Sequence, residues 1–310
     1  MKVLVTGGAG FIGSHICDKL LKEGHFVVVI DNLSTGYKEN INHNLKHENF
    51  VFLQEDITDP VMLDETIKKY NIEKICHQAA LGSVPRSIDT PQHTHNANVN
   101  GFFNILNVAR QNNIKRIVYA SSSSVYGTNQ DLPKVEDNIG EQLSPYAASK
   151  YIDEVYAKVF SRCYGMECIG LRYFNIFGPR QSPNGPYAAV IPRFIEALTK
   201  DESPLIYGDG TYSRDFTYVE NAVSANILAL TTNNENAYGQ AFNIGCGGRI
   251  TINELYNEIS KALKKENIKP TYKENRKGDV PHSHASITKA SEILEYKLIT
   301  NFEEGIKKLI

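Results

Sequence analysis

This chain of 310 residues has no tryptophan and 3 methionines, and neither sign of charge dominates it. With 33 Lys and Arg against 35 Asp and Glu, its formal charge is −2, which gives no general attraction to nucleic acid or anionic lipid. No run approaches the ~20 uninterrupted apolar residues of a bilayer span. Cys17, Cys76, Cys163, Cys168 and Cys246 are odd in number and show no C-x-x-C spacing. That argues against a disulfide framework and for reduced thiols in a cytoplasmic protein. The opening MKVLVTGGAG runs from a short strand straight into a glycine turn, unlike a signal peptide. What remains is a globular composition, 41% hydrophobic and 22% charged, long enough for at least one large core.

Two periodicities alternate through the first half. Lys2–Thr6, Phe26–Ile30, Phe50–Leu53, Lys74–Gln78 and Arg116–Ser121 read as short strands, with helical patterns between several of them, such as Gly13–Glu23 and Asn98–Gln111. Strands separated by helices make βαβ units, so the expected fold is α/β, a doubly wound parallel sheet with helices on both faces. Ser144 and Pro145 predict a further helix, capped by serine, that stops near Gly165. After about Gly170 the texture changes. Phe177–Tyr187 and Asp209–Tyr218 read as loops, and Glu220–Leu230 and Ile252–Leu263 as helices, the latter capped by Thr251. The expected division is a dinucleotide-binding domain over 1–172, with segments from roughly 215–245 returning to it, and a smaller α+β lobe over 173–310.

Lys2–Thr6 leads into Gly7-Gly8-Ala9-Gly10-Phe11-Ile12-Gly13 and then a helix, the context in which a glycine triplet binds a dinucleotide. Gly7 permits the tight turn, Gly10 the approach of backbone to pyrophosphate, and Gly13 close packing of helix on strand. A diphosphate then lies over the helix N-terminus, at free N–H groups and the positive dipole end. The second strand ends at Asp31, where a carboxylate accepts bonds from an adenosine ribose and repels a 2′-phosphate; NAD is therefore favoured over NADP. Asp56 and Ile57, past the third strand, would flank the adenine.

Tyr146 and Lys150 sit four apart on one face of the helix that starts at Pro145. Ser121-Ser122-Ser123-Ser124 follows the fifth strand, at the carboxyl edge where open α/β sheets bind ligands. A phenol is a poor base near neutrality, and an adjacent ammonium favours its phenolate.

TGGAGFIGS at Thr6–Ser14, DNLSTG at Asp31–Gly36, HQAALGSVPRS at His77–Ser87, SSSSVYG at Ser121–Gly127, SPYAASK at Ser144–Lys150, LRYFNIFGPRQ at Leu171–Gln181 and SRDFTYV at Ser213–Val219 together resemble the extended short-chain dehydrogenase/reductases. Within them the chain is similar to the nucleotide-sugar 4-epimerases, above all to the UDP-N-acetylglucosamine 4-epimerases. The resemblance implies that Tyr146 takes the proton of the sugar 4-hydroxyl while the C4 hydride passes to bound NAD. The 4-keto sugar then turns over and is reduced on its opposite face. By the same resemblance Lys150 holds the nicotinamide ribose, and Ser122 bridges Tyr146 and the sugar, with Ser123 beside it. The implied cofactor contacts also include Phe11, Ile12, Asn32, Gln78, Ala79, Ala80, Asn98, Ser121 and Tyr173. The related 4,6-dehydratases carry Asp-Glu where this chain has Ser123-Ser124, so no acid–base pair for eliminating water is present.

For the UDP-sugar, the resemblance implies diphosphate contacts from Arg214, Arg276 and Asn175, a ribose contact from Asp279, and an aromatic wall for the uracil at Tyr207, with Val190 nearby. Ser283 stands where a bulky residue confines relatives to plain hexoses, and Gly82, Ser83 and Arg86 match the acetamido-accepting members. The expected substrates are UDP-GlcNAc and UDP-GalNAc, with some activity on UDP-Glc and UDP-Gal. UDP-galactose and UDP-uronate 4-epimerases stay open as alternatives, as does a Rossmann regulator that binds NAD without chemistry. No metal is expected: His43 and His47, read as i, i+4 on a helix, and the pairs His93/His95 and His282/His284 gather no third ligand. The helices Asn98–Gln111 and Ser144–Tyr164 would, by resemblance, pair with their copies in a homodimer; their apolar faces could equally be core.

Overall fold

The computed structural model describes residues 1–183, 188–274 and 280–310. Strands β1 (Lys2–Thr6), β2 (Phe26–Ile30), β3 (Phe50–Leu53), β4 (Lys74–His77), β5 (Arg116–Ser122) and β6 (Glu167–Tyr173) precede the short β7 (Ile176–Phe177), β8 (Leu205–Tyr207), β9 (Ser213–Arg214) and β10 (Thr217–Tyr218). After them come β11 (Gln240–Ile244), β12 (Ile250–Thr251) and β13 (Thr271–Lys273). The helices are α1 (Phe11–Lys22), α2 (Pro60–Tyr70), α3 (Val84–Asp89), α4 (Pro91–His95), α5 (Gly101–Gln111) and α6 (Pro145–Tyr164). They continue with α7 (Val190–Thr199), α8 (Val219–Thr231), α9 (Ile252–Ala262), α10 (Thr288–Leu294) and α11 (Phe302–Leu309).

Seven strands form one sheet in the order β11-β6-β5-β4-β1-β2-β3, every pair parallel. Alternation along each strand divides the core. Val3, Val5, Val27, Val29 and Val118 pack toward α1 and α8, through Ile16, Leu20, Ala222 and Ala225. Leu4, Val28, Ile75 and Ile117 pack on the other face against α2, α5 and α6, through Leu63, Ile67, Phe102, Ile105 and Phe160. Strands buried on both faces need these near-continuous apolar runs, and each such side chain contributes about 1.5–3 kcal/mol. The order reverses between β1 and β4, so a crevice opens above their carboxyl ends.

The later half returns to this sheet through β11 and covers it with α8, while β9–β12 and β8–β13 form two small sheets beside it. Asp215 fastens the junction: its fully buried carboxylate accepts N–H bonds from Cys246 (2.8 Å), Gly247 (3.0 Å) and Ala285 (3.2 Å).

Several elements differ from the sequence reading. Strand β6 runs through Tyr173 and so crosses the expected boundary at 172/173. The helix expected from Asn98 begins at Gly101, after a π-turn over Asn96–Asn100. His43 and His47 share no α-helix: Lys38–Asn40 and Asn42–Asn44 are single 3-10 turns, and His43 is engaged by Asp18 at 2.8 Å. Short polar turns cannot bury an amphipathic stripe, which is why the i, i+4 spacing carried no helix there.

Candidate active site

A cleft of about 870 Å³ lies over the sheet's switch point. Its floor is the β1–α1 turn. Gly7 takes φ +70°, and a Cβ on Gly13 would lie 2.2 Å from the Gly7 carbonyl oxygen, so only hydrogen fits where helix meets turn. Gly10 caps α1 and no side chain caps it, which leaves the first-turn donors facing the cleft. At the end of β2, Asp31 accepts N–H bonds from Ala9 (2.9 Å) and Leu33 (2.8 Å). Burial raises this carboxyl above its ordinary range, and those bonds act against the rise. Each oxygen keeps a second lone pair, and the group is positioned to accept ribose hydroxyls.

These features fit a dinucleotide. Gly7, Gly10, Phe11, Ile12, Gly13, Asp31, Asn32, Asp56, Ile57, Gln78, Ala79 and Ala80 all line the cleft. Two of the lining side chains are locked from behind by a residue the sequence reading passed over. Asn226 of α8 donates to the Tyr173 hydroxyl (2.7 Å), Tyr173 donates to Gln78 Oε1 (3.0 Å), and Gln78 donates to Asn226 Oδ1 (3.0 Å). An asparagine inside the apolar run VENAVSANILAL was the available signal.

Asn98 is placed differently from expectation. It is fully buried in the π-turn and does not line the cleft. Its Oδ1 accepts from Leu81 N–H (2.8 Å) and its amide donates to Ser149 Oγ (3.0 Å). The side chain therefore ties Leu81, in the wall that runs from Ala79 to Gly82, to Ser149 of α6.

Tyr146, Lys150, Ser121, Ser122, Ser123 and Ser124 line the same cleft. Ser144 caps α6 by accepting from Ala147 N–H (3.1 Å), with Pro145 in the first turn, and this fixes the start of the helix that carries Tyr146 and Lys150. Alternation along β5 aims neighbouring serines apart. Ser121 donates to Glu154 Oε1 (2.5 Å), while Ser122 Oγ accepts from both the hydroxyl (2.9 Å) and the N–H (3.2 Å) of Ser124. With both lone pairs of Ser122 engaged, its own proton is left to donate. Beneath Lys150, His77 is buried and bonded to Thr6 Oγ1 at 2.7 Å; burial, then the Lys150 charge, pushes it down to about 3, so it is a neutral imidazole.

Of the residues expected at the sugar nucleotide, Gly82, Ser83, Arg86 and Asn175 line the cleft together with Ser122, Ser123 and Tyr146. Val190, Tyr207, Arg214 and Ser283 lie outside that lining. Val190 opens α7, just after the lining residue Ala189. Tyr207 pairs with Lys273, Arg214 donates to the Ser213 (2.9 Å) and Pro281 (3.0 Å) carbonyls, and the Ser283 N–H bonds to Ser213 O (3.0 Å). Arg276 and Asp279 lie outside the described residues. Gln181, Thr35 and Glu55 also line the cleft; no spacing in the sequence marks them. Among the described residues no cluster of His, Cys, Asp or Glu could hold a metal ion.

A doubly wound sheet, a glycine turn with an acid at the end of the second strand, and a Tyr-Lys pair facing serines define a short-chain dehydrogenase/reductase of the extended type. The family model described as GDP-mannose 4,6 dehydratase matches residues 4–309, and the chain belongs to that family. It is 37% identical over 311 residues to the UDP-glucose 4-epimerase of Mycolicibacterium smegmatis, covering 100% of this chain and 97% of that protein. The solved UDP-N-acetylglucosamine 4-epimerase of Methanobrevibacter ruminantium, in complex with UDP-N-acetylmuramic acid, superposes with a TM-score of 0.93 at 42% identity, covering 99% of this chain and 96% of that one. The UDP-glucuronic acid 4-epimerase of Bacillus cereus, with UDP-glucuronic acid and NAD, gives 0.91 at 30% identity, covering 100% and 98%.

Proposed function

We propose that this protein is an NAD-dependent UDP-sugar 4-epimerase that prefers UDP-GlcNAc and UDP-GalNAc and retains some activity on UDP-Glc and UDP-Gal. The observation that carries the reading is the juxtaposition of Tyr146 and Lys150 with the Ser122 hydroxyl across a cleft floored by the glycine turn. NAD is favoured by that floor and by Asp31, and the B. cereus relative is solved with NAD. When bound, the nicotinamide supplies the acceptor, and later the donor, of the C4 hydrogen with its electron pair.

The chain's own residues handle protons and positions. Tyr146 accepts the proton of the sugar 4-hydroxyl and returns it when the ketone is reduced. Lys150 holds a positive charge beside it, which favours the phenolate. Ser122, its lone pairs taken by Ser124, donates toward the sugar oxygen and steadies the developing charge. Ser123 and Ser124 bring hydroxyls and no carboxylate, so the keto sugar finds no pair to eliminate water and inversion at C4 is what remains.

The acetylated sugars are favoured by space. A Cβ at Gly82 would meet nothing within 4 Å, so this wall has room for an acetamido group beside Ser83 and Arg86. The M. ruminantium relative is a UDP-N-acetylglucosamine enzyme. Contacts of this size shift preference by about 1–3 kcal/mol. Initial rates on UDP-GlcNAc, UDP-Glc and UDP-glucuronate, measured side by side, test the order; no UDP-GalNAc from UDP-GlcNAc would reject the acetylated reading.

We also propose a homodimer through α5 and α6. Tyr151, Val155 and Val159 are exposed on one face of α6, and Phe103 of α5 and Tyr156 and Tyr164 of α6 are exposed as well. A second copy covers such a stripe without leaving apolar surface in water. All five cysteines are free thiols, in keeping with a cytoplasmic setting, and no helix among the described residues is long and apolar enough to cross a membrane.

A further inference from the structure

One turn beyond Lys150, on the side away from the ligand, α6 places a carboxylate that the chemistry above does not use. Asp153 is 1% exposed, and its Oδ2 accepts a bond from Lys150 Nζ at 3.2 Å. Its Oδ1 is buried with no partner among the described residues. A half-satisfied carboxylate in the interior is costly, and hydrophobic residues could fill an ordinary core position at no such cost. Here it sits on Lys150, which lines the same cleft as Tyr146.

We propose that Asp153 is a positioning residue: it fixes the Lys150 ammonium in the cleft wall and, by its own charge, limits how strongly Lys150 favours the Tyr146 phenolate. The inference rests on the epimerase reading for its consequence, though not for its geometry.

The groups facing this pair are few. His77 of β4 is neutral, held so by burial. Tyr119 of β5 is buried and kept protonated by burial and by the Glu154 and Asp153 charges. Glu154 of α6 and Arg172 of β6 neutralise each other at 2.7 Å. Among the described residues Asp153 is therefore the acid whose ion-pair partner is Lys150 itself. Burial pushes it up to about 7, against the pull of Lys150, so it carries its charge in the upper part of the neutral range. Below that range Lys150 acts on the phenol undiminished, and above it the carboxylate shares the ammonium.

The test is the phenol itself. The chain holds 17 tyrosines, so the near-ultraviolet phenolate signal is taken as the difference between NAD-loaded protein and its Tyr146→Phe counterpart across pH. Asp153→Asn keeps an acceptor for Lys150 and removes the charge; the Tyr146 titration should then move to lower pH by about half a unit or more. Asp153→Glu keeps the charge and should leave the titration near that of the natural protein. Asp153→Ser carries the same expectation as the asparagine variant should the latter not fold. The acidic limb of kcat/KM should follow the phenol. A titration unmoved in Asp153→Asn or Asp153→Ser, whatever happens to thermal stability, overturns the inference and leaves Asp153 a packing residue. Failure of the epimerase reading looks different: the unmutated protein would invert no UDP-sugar while its phenol still titrates.

Discussion

Glu154 and Arg172 meet in parallel beneath the serine turn, Nε to Oε1 at 2.8 Å and a terminal nitrogen to Oε2 at 2.7 Å, with 10% and 4% of their side chains exposed. Burial opposes the Arg172 charge, and the bonds from Glu154 outweigh it and hold the guanidinium above its ordinary range. The same Glu154 accepts a hydrogen bond from Ser121, and Arg172 donates to the Tyr126 hydroxyl (3.0 Å) and the Glu136 carbonyl (2.8 Å). One ion pair thus ties the end of β5, the serine turn, β6 and α6 into a single frame.

Removing one charge from that frame should be costly. Glu154→Gln leaves a buried guanidinium uncompensated and should lower unfolding stability by about 3–5 kcal/mol, with kcat falling as the serine turn loses its anchor at Ser121. Denaturant unfolding checks the first part; a loss below about 1 kcal/mol would show the pair to be dispensable.

The cofactor floor makes a steric prediction. Gly13→Ala drives a methyl group into the Gly7 carbonyl, which a backbone turn cannot yield. Calorimetric titration should show dinucleotide affinity reduced about tenfold or more, ~1.4 kcal/mol. Unchanged affinity would mean that NAD does not depend on this turn.

Much of this site was legible in the sequence because its parts are local. The glycine turn, Asp31, the serine run and Tyr146/Lys150 each lie within a few residues of a strand end or helix start, and local spacing fixes where they point. Asn98, Asn226, Asp153 and the Glu154–Arg172 pair were not legible in that way. Their partners are 17 to 148 residues away or sit one helix turn along on the buried side, and whether a polar residue in an amphipathic helix faces core or solvent depends on tertiary packing. The sixth and seventh strands were not named for a similar reason. Glu167–Tyr173 and Gln240–Ile244 are no shorter than the strands that were, but only pairing with β5 and β6 fixes them in the sheet to which segments of 215–245 were expected to return.

Acid should find its weak point at His77. Its folded-state ionisation lies near 3, below the ordinary value of about 6.5, so the unfolded chain binds the extra proton. The stability held above pH 6.5 is therefore lost progressively as pH falls toward 3, by up to about 1.4 kcal/mol per pH unit. His77→Gln removes that proton sink. Its stability should fall less steeply than that of the natural protein between pH 6.5 and 4, and parallel slopes would refute the assignment.

A charge in the proposed dimer stripe should separate the subunits. Val159→Asp places a carboxylate on the exposed apolar face of α6 and costs nothing in the monomer core. Light scattering coupled to gel filtration should show a dimer for the natural chain and a monomer for the variant; a natural chain that runs as a monomer contradicts the interface.

The most direct test of the whole account is a proton NMR assay of UDP-GlcNAc incubated with NAD-loaded protein, run beside Tyr146→Phe. The natural protein should bring UDP-GlcNAc and UDP-GalNAc to a fixed ratio from either side, with the variant about 10²–10⁴-fold slower. A natural protein that leaves the C4 configuration of every UDP-sugar untouched, or a variant that keeps pace with it, would contradict the central claim.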